Sequence, residues 1–449
     1  MTPQPEITPQ SAKTPFIGGD KHIWGIYIAL VIISVIELYS ASSREVASSS
    51  MGVIGPIVRH FAQLAAGFVI VLVMQRIHYR RLIPAIPFFV LMSCLMMVVV
   101  LFFGESVNGA SRSLNLVFIN IQPSEFLKMS AVLSIAMLMS MVQDKNDRRA
   151  HNRLAYFTMG LVGVFAVLLI RDGLTNTLIV LIISVSMLLI GGTRFKQLAM
   201  GAVCVVAVGA VVFVGLQAFD SIKASANDEA AAAMEASPSK AGDSKEKGLL
   251  PRIGVWGDRL AAYSDTTNRY DRPITAENQQ EMYSYMAQAR GGVFGVFPGN
   301  SRETSRLPLA FSDFIYAIII EDMGFVGGMA VLVLFLWLLA RASGIAWKCR
   351  TAFPALLVIG MAVMIVTQAL IHMAINTGVI PVTGQPLPLI SKGGSSILIT
   401  SLAFGIMLSV SRFAVRSDKR NDINAELNAL PENMRSENPG QISNSVADE

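Results

Sequence analysis

The amino-acid sequence predicts an all-α polytopic membrane protein with about ten transmembrane helices, both termini cytoplasmic, and a large extracytoplasmic loop between helices seven and eight. Three observations predict this. Of 449 residues, 53% are hydrophobic and 15% charged, where soluble domains hold about a quarter charged. The apolar residues fall into blocks of about 20, the length at which a helix crosses a hydrocarbon core. The basic residues cluster between alternate blocks. A β-barrel would show short segments of alternating polarity, and none is visible.

Residues 1–22 are polar and Pro-containing and read as a tail. The first apolar block runs from about Trp24 to Tyr39. Ser40-Ala41-Ser42 after it imitates a signal-peptidase site, but the long preceding tail and the many later spans favour an uncleaved anchor. Further blocks lie at 57–75, 82–103, 123–142, 154–170, 174–192, 197–219, 314–340, 353–378 and 395–413.

The charges fix the orientation. Arg76, Arg80 and Arg81 follow span two; Lys145, Arg148, Arg149 and Arg153 follow span four. Arg194 and Lys196 follow span six, Arg341, Lys348 and Arg350 span eight, and Arg412, Arg416, Lys419 and Arg420 span ten. By the positive-inside rule these loops are cytoplasmic. The net charge of +5 therefore reflects topology rather than nucleic-acid binding. The membrane domain covers 23–413, with the outward loop at 220–310 and a polar cytoplasmic tail at 414–449. Within the loop, Asn227–Lys247 is rich in Ala, Ser, Glu and Lys, which predicts mobility. Cys94, Cys204 and Cys349 lack metal-type spacing and read as inert thiols.

Ionisable residues near membrane depth carry the functional signal, since each costs about 2.5–3.5 kcal/mol at mid-helix. The first group is Gln122-Pro123-Ser124-Glu125-Phe126-Leu127-Lys128 at the outer end of span four. Pro123 and Glu125 suit a helix start, and Lys128 stacks on the face of Glu125, a pair fit for an anionic headgroup. The second is Leu307–Phe314, where Asp313 is open between a helix-capping acid and a carboxylate reaching a bound sugar. The third, Glu321-Asp322, lies about 12 Å further along the helix, with Asp322 on the opposite face from Asp313, and suggests a structural pairing. The fourth runs from Pro381 to Ser396, where prolines and glycines forbid continuous helix. Such backbone near membrane depth must line a cavity or be buried in protein, and its Ser391, Lys392, Gly393 and Gly394 suit phosphate.

Together these strings resemble the SEDS family (shape, elongation, division and sporulation) across nearly all spans. Tyr39-Ser40-Ala41-Ser42 resembles the family's YSAS, Asn108-Gly109-Ala110 with Arg112 its NGAxR, and QPSEFxK is intact. Gly291-Gly292, Gly295 and Gly299-Asn300-Ser301 resemble GGxxGxGxGNS; Asp313–Ala317 resembles DFIFA; Pro381–Ser396 resembles PVTGxPLPxISxGGSS. The GNS segment, Lys392 in place of a usual Tyr, and Arg252, Trp256 and Arg259 in an RxxxWxxR pattern are more similar to the cell-division branch, in its Bacteroidetes-like form, than to the elongation branch. There are departures: LPEAHTD is LPLAFSD here, QPDLGTA becomes Arg171–Thr177, and Ser113 replaces a common Trp.

The resemblance implies an inverting glycosyltransferase that polymerises lipid II into β-1,4-linked glycan, with undecaprenyl pyrophosphate as leaving group. It implies Asp313 as the base, and Glu125, Lys128, Arg112, Lys392, Ser391, Arg252 and Arg259 as substrate-binding residues. No metal cluster is visible; a divalent cation, Mg or Mn, could assist. The implied partners are a class B penicillin-binding protein and other divisome membrane proteins, in the bacterial inner membrane at the septum. A lipid II flippase, a divisome scaffold and an elongation role are the alternatives.

Overall fold

A computed structural model gives the fold and describes residues 18–41, 54–103, 105–107, 110–115, 120–141, 148–170, 172–201, 203, 273–275, 278–307 and 310–413. The helices are α1 (Lys21–Ala41), α2 (Ile54–Met74), α3 (Ile86–Phe103), α4 (Pro123–Ser140), α5 (Arg148–Ile170) and α6 (Leu174–Ile190), then α7 (Gln279–Gly291), α8 (Ile315–Lys348), α9 (Ala352–Asn376) and α10 (Gly394–Phe413). Every expected span but the seventh coincides with one of them. A further helical stretch begins at 195, and most of the expected seventh span lies outside the described residues, as do the insert 227–247, residues 1–17 of the expected N-terminal tail and the C-terminal tail, while Gly18–His22 are described and lead into α1.

The body of the chain is helical as expected, with one addition. The connection after α3 carries three short antiparallel strands, β1 (Glu105–Val107), β2 (Ala110–Asn115) and β3 (Asn120–Ile121), in the order β1-β2-β3. Asn108-Gly109, the dipeptide that tight hairpins favour, falls between β1 and β2.

α9 is the centre of the bundle. Its apolar window is 83% buried, against 22% for those of α2 and α3, and it packs against α8, α4, α6 and α10. α1 lies on α8, and α2 on α10. α4 is also interior, which explains its serines. Ser130 donates to the Phe126 carbonyl at 2.9 Å and meets Ser93 of α3 at 2.7 Å, while Ser134 bonds back to Ser130. A helix shielded from lipid can carry hydroxyls that bond its own backbone or a neighbour's side chain.

α1 starts on Asp20, whose Oδ1 accepts from the backbone N–H of His22 at 2.9 Å and of Ile23 at 3.2 Å. Its Oδ2 accepts from Arg341 Nε at 2.8 Å and Nη2 at 2.5 Å, joining this end of α1 to α8.

α8 is not one rod. At Gly324 φ is 71° and the helix breaks. The segment after α7 fills the break. Val296 and Phe297 donate their N–H to the carbonyls of Glu321 and Asp322, both at 2.9 Å. In return Phe325 and Val326 donate to the carbonyls of Gly292 at 2.9 Å and Val293 at 3.2 Å. Side chains have no room there: a Cβ on Gly295 would collide with the Asp322 carbonyl, and one on Gly324 with the Val293 carbonyl. The spacing of glycines in 291–299 is thus the imprint of a backbone spliced into a broken helix.

Candidate active site

The site lies where the starts of α4, α8 and α10 meet the last turns of α9. Pro123 opens α4 at a position where its missing N–H costs nothing, and places Glu125 in the first turn. Lys128 donates to Glu125 Oε1 at 2.6 Å and to Gln368 Oε1 of α9 at 2.9 Å. Gln368 in turn donates to the Pro386 carbonyl at 3.2 Å. The expected Glu125–Lys128 pair is therefore present, but fully buried, with Lys128 at 0% and Glu125 at 3% exposure. Nearby, Asn176 of α6 donates to Asp172 at 2.5 Å and lies 3.4 Å from Ser124.

The non-helical stretch before α10 is seated on the turn that carries Asp313. Lys392 donates its backbone N–H to the Phe311 carbonyl at 3.0 Å. Ser391 donates its hydroxyl to the Ser312 carbonyl at 2.7 Å while accepting from the Leu387 N–H at 2.7 Å. The Lys392 ammonium stands 5.7 Å from the centre of the Phe311 ring, a cation–π contact. The segment thus ties the backbone at Lys392 to the turn that carries Asp313. Ser312, Asp313 and Lys392 are all half-buried, and Ser312 Oγ donates to Asp313 Oδ1 at 2.8 Å.

Asp313 precedes α8 rather than belonging to it, because Phe314, at φ −126° and ψ 18°, is not helical. The helical phase relation expected between Asp313 and Asp322 therefore does not apply. Glu321 is paired as expected, though with the loop rather than with Asp322. It accepts from Ser301 Oγ at 2.5 Å and the Arg302 N–H at 3.0 Å, with Arg290 at 3.5 Å. Ser40 of α1 reaches the same loop by accepting the Gly299 N–H at 3.1 Å.

One row of residues was missed by sequence reasoning. Gln368, His372 and Asn376 recur every four residues along one face of α9, all buried. His372 Nδ1 donates to the Gln385 carbonyl at 2.6 Å, and its Nε2 lies 3.3 Å from Asn376 Nδ2. Asn376 donates to the Asp313 carbonyl at 3.1 Å and accepts from the Ala317 N–H at 3.2 Å. The row therefore runs from Lys128 at one end to Asp313 at the other. Its signal was available: three polar side chains at helical spacing in an otherwise apolar span.

Of the remaining candidates, Arg112 lies on β2, where only the backbone is described, and Arg252 and Arg259 lie outside the described residues. Among the described residues no three His, Cys, Asp or Glu side chains converge as a metal site would require.

Comparison with known proteins identifies the family and the fold. The model of the FtsW/RodA/SpoVE family, described as cell cycle protein, matches residues 20–233 and 256–416. The chain belongs to this family. It is 29% identical over 399 residues to the probable peptidoglycan glycosyltransferase FtsW of Burkholderia thailandensis, covering 86% of this chain and 77% of the relative. Identity to the protein of the same name in Geobacter sulfurreducens is 28% over 389 residues, covering 86% of this chain and 92% of the relative. The fold is shared with a chain from a peptidoglycan synthase complex that coordinates polymerization and crosslinking, with a TM-score of 0.62 at 21% identity, covering 89% of this chain and 99% of that one. It is also shared with the rod-shape-determining protein RodA of Thermus thermophilus, with a TM-score of 0.57 at 20% identity, covering 89% of this chain and 98% of that one. Family and fold are those expected from the motifs, and the multi-pass membrane reading stands with them.

Proposed function

We propose that this chain is a peptidoglycan glycosyltransferase that polymerises lipid II, with Asp313 as its general base. One observation carries the reading: the segment that bears Lys392 is hydrogen-bonded onto the turn that bears Asp313, and both residues are half-buried. The relatives named as peptidoglycan glycosyltransferases supply the substrate class.

In this reaction the 4-hydroxyl of a lipid II GlcNAc attacks the anomeric carbon of the donor MurNAc. The new C–O bond forms as the bond to the undecaprenyl pyrophosphate oxygen breaks, inverting configuration. The hydroxyl proton passes to Asp313, a step worth typically about 10²–10⁴-fold in rate. Ser312 donates to Oδ1 and so helps to orient the carboxylate. Cations offset the charge that develops on the leaving pyrophosphate. Lys392 is the foremost of these. Lys128 is enclosed between Glu125 and Gln368 and serves the site from behind, with Arg112, Arg252 and Arg259 as further donors. The family resemblance supplies the setting: septal synthesis in the inner membrane, beside a class B penicillin-binding protein that crosslinks the product and other divisome membrane proteins.

The test is purified protein with its transpeptidase partner, supplied with lipid II and assayed for glycan chains, wild type beside Asp313→Asn. Polymer from the wild type alone is expected. Equal polymer from both would remove Asp313 from its role; none from either, with lipid II still bound, would remove the activity.

A further inference from the structure

We infer that Asn376 is a positioning residue for Asp313, an inference that rests on the proposed base role. Its two amide atoms grip the chain on both sides of Phe314: Nδ2 donates to the Asp313 carbonyl at 3.1 Å, and Oδ1 accepts from the Ala317 N–H at 3.2 Å. These are the two ends of the turn that leads into α8. Phe314, at the N-cap position, offers no side-chain cap to α8, so Asn376 supplies from the neighbouring helix the acceptor that α8 lacks. The Ala317 N–H is shared with the Phe314 carbonyl at 3.0 Å, the three-centre arrangement common at helix starts.

The grip is rigid because Asn376 is itself held. It is 0% exposed in the last turn of α9, whose apolar window is 83% buried. Its Nδ2 also lies 2.9 Å from the His372 carbonyl and 3.3 Å from His372 Nε2. The amide is thereby assigned an orientation, nitrogen toward Asp313 and oxygen toward Ala317. The main chain of Asp313 is thus referenced to the centre of the bundle rather than to its own helix. A base must sit within hydrogen-bond reach of the proton it takes. Displacement by about 1 Å through loss of such support costs on the order of 10²-fold in rate.

The experiment compares Asn376→Ala and Asn376→Asp with wild type and Asp313→Asn in the lipid II polymerisation assay, alongside lipid II affinity and thermal midpoint. Asn376→Asp keeps an acceptor for the Ala317 N–H, and Asp is as good a helix cap as Asn, but as a carboxylate it has no donor for the Asp313 carbonyl. Both variants are expected to lose about 10–100-fold in kcat with KM and lipid II affinity within about twofold of wild type. Wild-type kcat in Asn376→Asp would reduce the residue to a helix cap and overturn the inference. Loss of lipid II affinity in step with kcat would do the same, by making it a binding residue. Should Asn376→Ala fail to fold, Asn376→Asp alone decides. A wild type that makes no polymer would overturn the functional reading, and the positioning role with it. A wild type that polymerises beside an Asn376→Ala of equal kcat would overturn the positioning role alone.

Discussion

Ser391 donates its hydroxyl to the carbonyl of Ser312, 79 residues earlier in the chain, at 2.7 Å, and this bond joins the cation-bearing segment to the carboxylate-bearing turn. The same hydroxyl accepts the Leu387 N–H, so it closes its own loop as well. Ser391→Ala strands the buried Leu387 N–H, at a cost of about 1–3 kcal/mol, and removes the donor to the half-buried Ser312 carbonyl. The expected outcome is a lower thermal midpoint and a polymerisation rate down by about tenfold or more, with Ser391→Thr retaining most of both. A wild-type rate in the alanine variant would show that the two segments stay registered without it.

The buried Glu125–Lys128 pair calls for a double-mutant cycle. Lys128→Met leaves a carboxylate unpaired in the interior, which typically costs about 3–5 kcal/mol. Glu125→Gln with Lys128→Met removes both charges and is expected to regain most of that stability, read by denaturant or thermal unfolding in detergent. Lipid II affinity should stay weakened in the double variant, because the cation is still missing. Full affinity there would assign the pair to holding α4 against α9 and nothing more.

Gly324→Ala should break the splice between α8 and the 291–297 segment. The residue sits at φ 71°, and its Cβ would overlap the Val293 carbonyl. That φ combined with ψ −173° is open essentially only to glycine, and holding an L-residue there costs about 1–3 kcal/mol. Reduced folded yield and faster proteolysis after α7 are expected; unchanged proteolysis would count against the splice.

Asp20 gives a pH-dependent prediction outside the membrane. Burial opposes its ionisation, but the Arg341 side chain and the N–H groups of Ile23 and His22 outweigh burial and hold its carboxyl below the ordinary 3.8. A lowered folded-state pKa means the stabilisation is present above that ordinary value and fades as pH falls through the folded one. Asp20→Ala is expected to cost about 1–2 kcal/mol at neutral pH, mostly the lost cap, since the Arg341 side of the ion pair is partly exposed. The gap to wild type should narrow in strong acid; a constant gap down to pH 2 would mean the charge contributes nothing.

Periodicity and charge made the spans legible. Blocks of apolar residues are imposed by the bilayer itself, so they are visible in composition before any partner is known. Asp313, Lys128 and Lys392 were legible for a related reason: charge near lipid is costly and stands out. The spacing of Gln368 and Asn376 was visible, but their roles and that of Ser312 were not. Uncharged amides and hydroxyls raise little notice in a span, and their roles depend on which helix lies opposite, which no local pattern records. The break in α8 was hidden too. Gly324 looks like any glycine in a membrane helix until its partner segment, about 30 residues earlier, is seen to need its absent side chain.

The break also has a consequence for depth. An unbroken helix of 34 residues would measure about 51 Å, far more than the roughly 30 Å of hydrocarbon it has to cross. Phe325–Lys348 alone reaches about 36 Å and is long enough for the whole crossing. The short piece before Gly324 is then not needed for the traverse, so the crossing does not require Glu321 and Asp322 to lie in the middle of the bilayer. What reads in the sequence as two carboxylates stranded in oil is the footing of a ledge, and Asp313 stands on it.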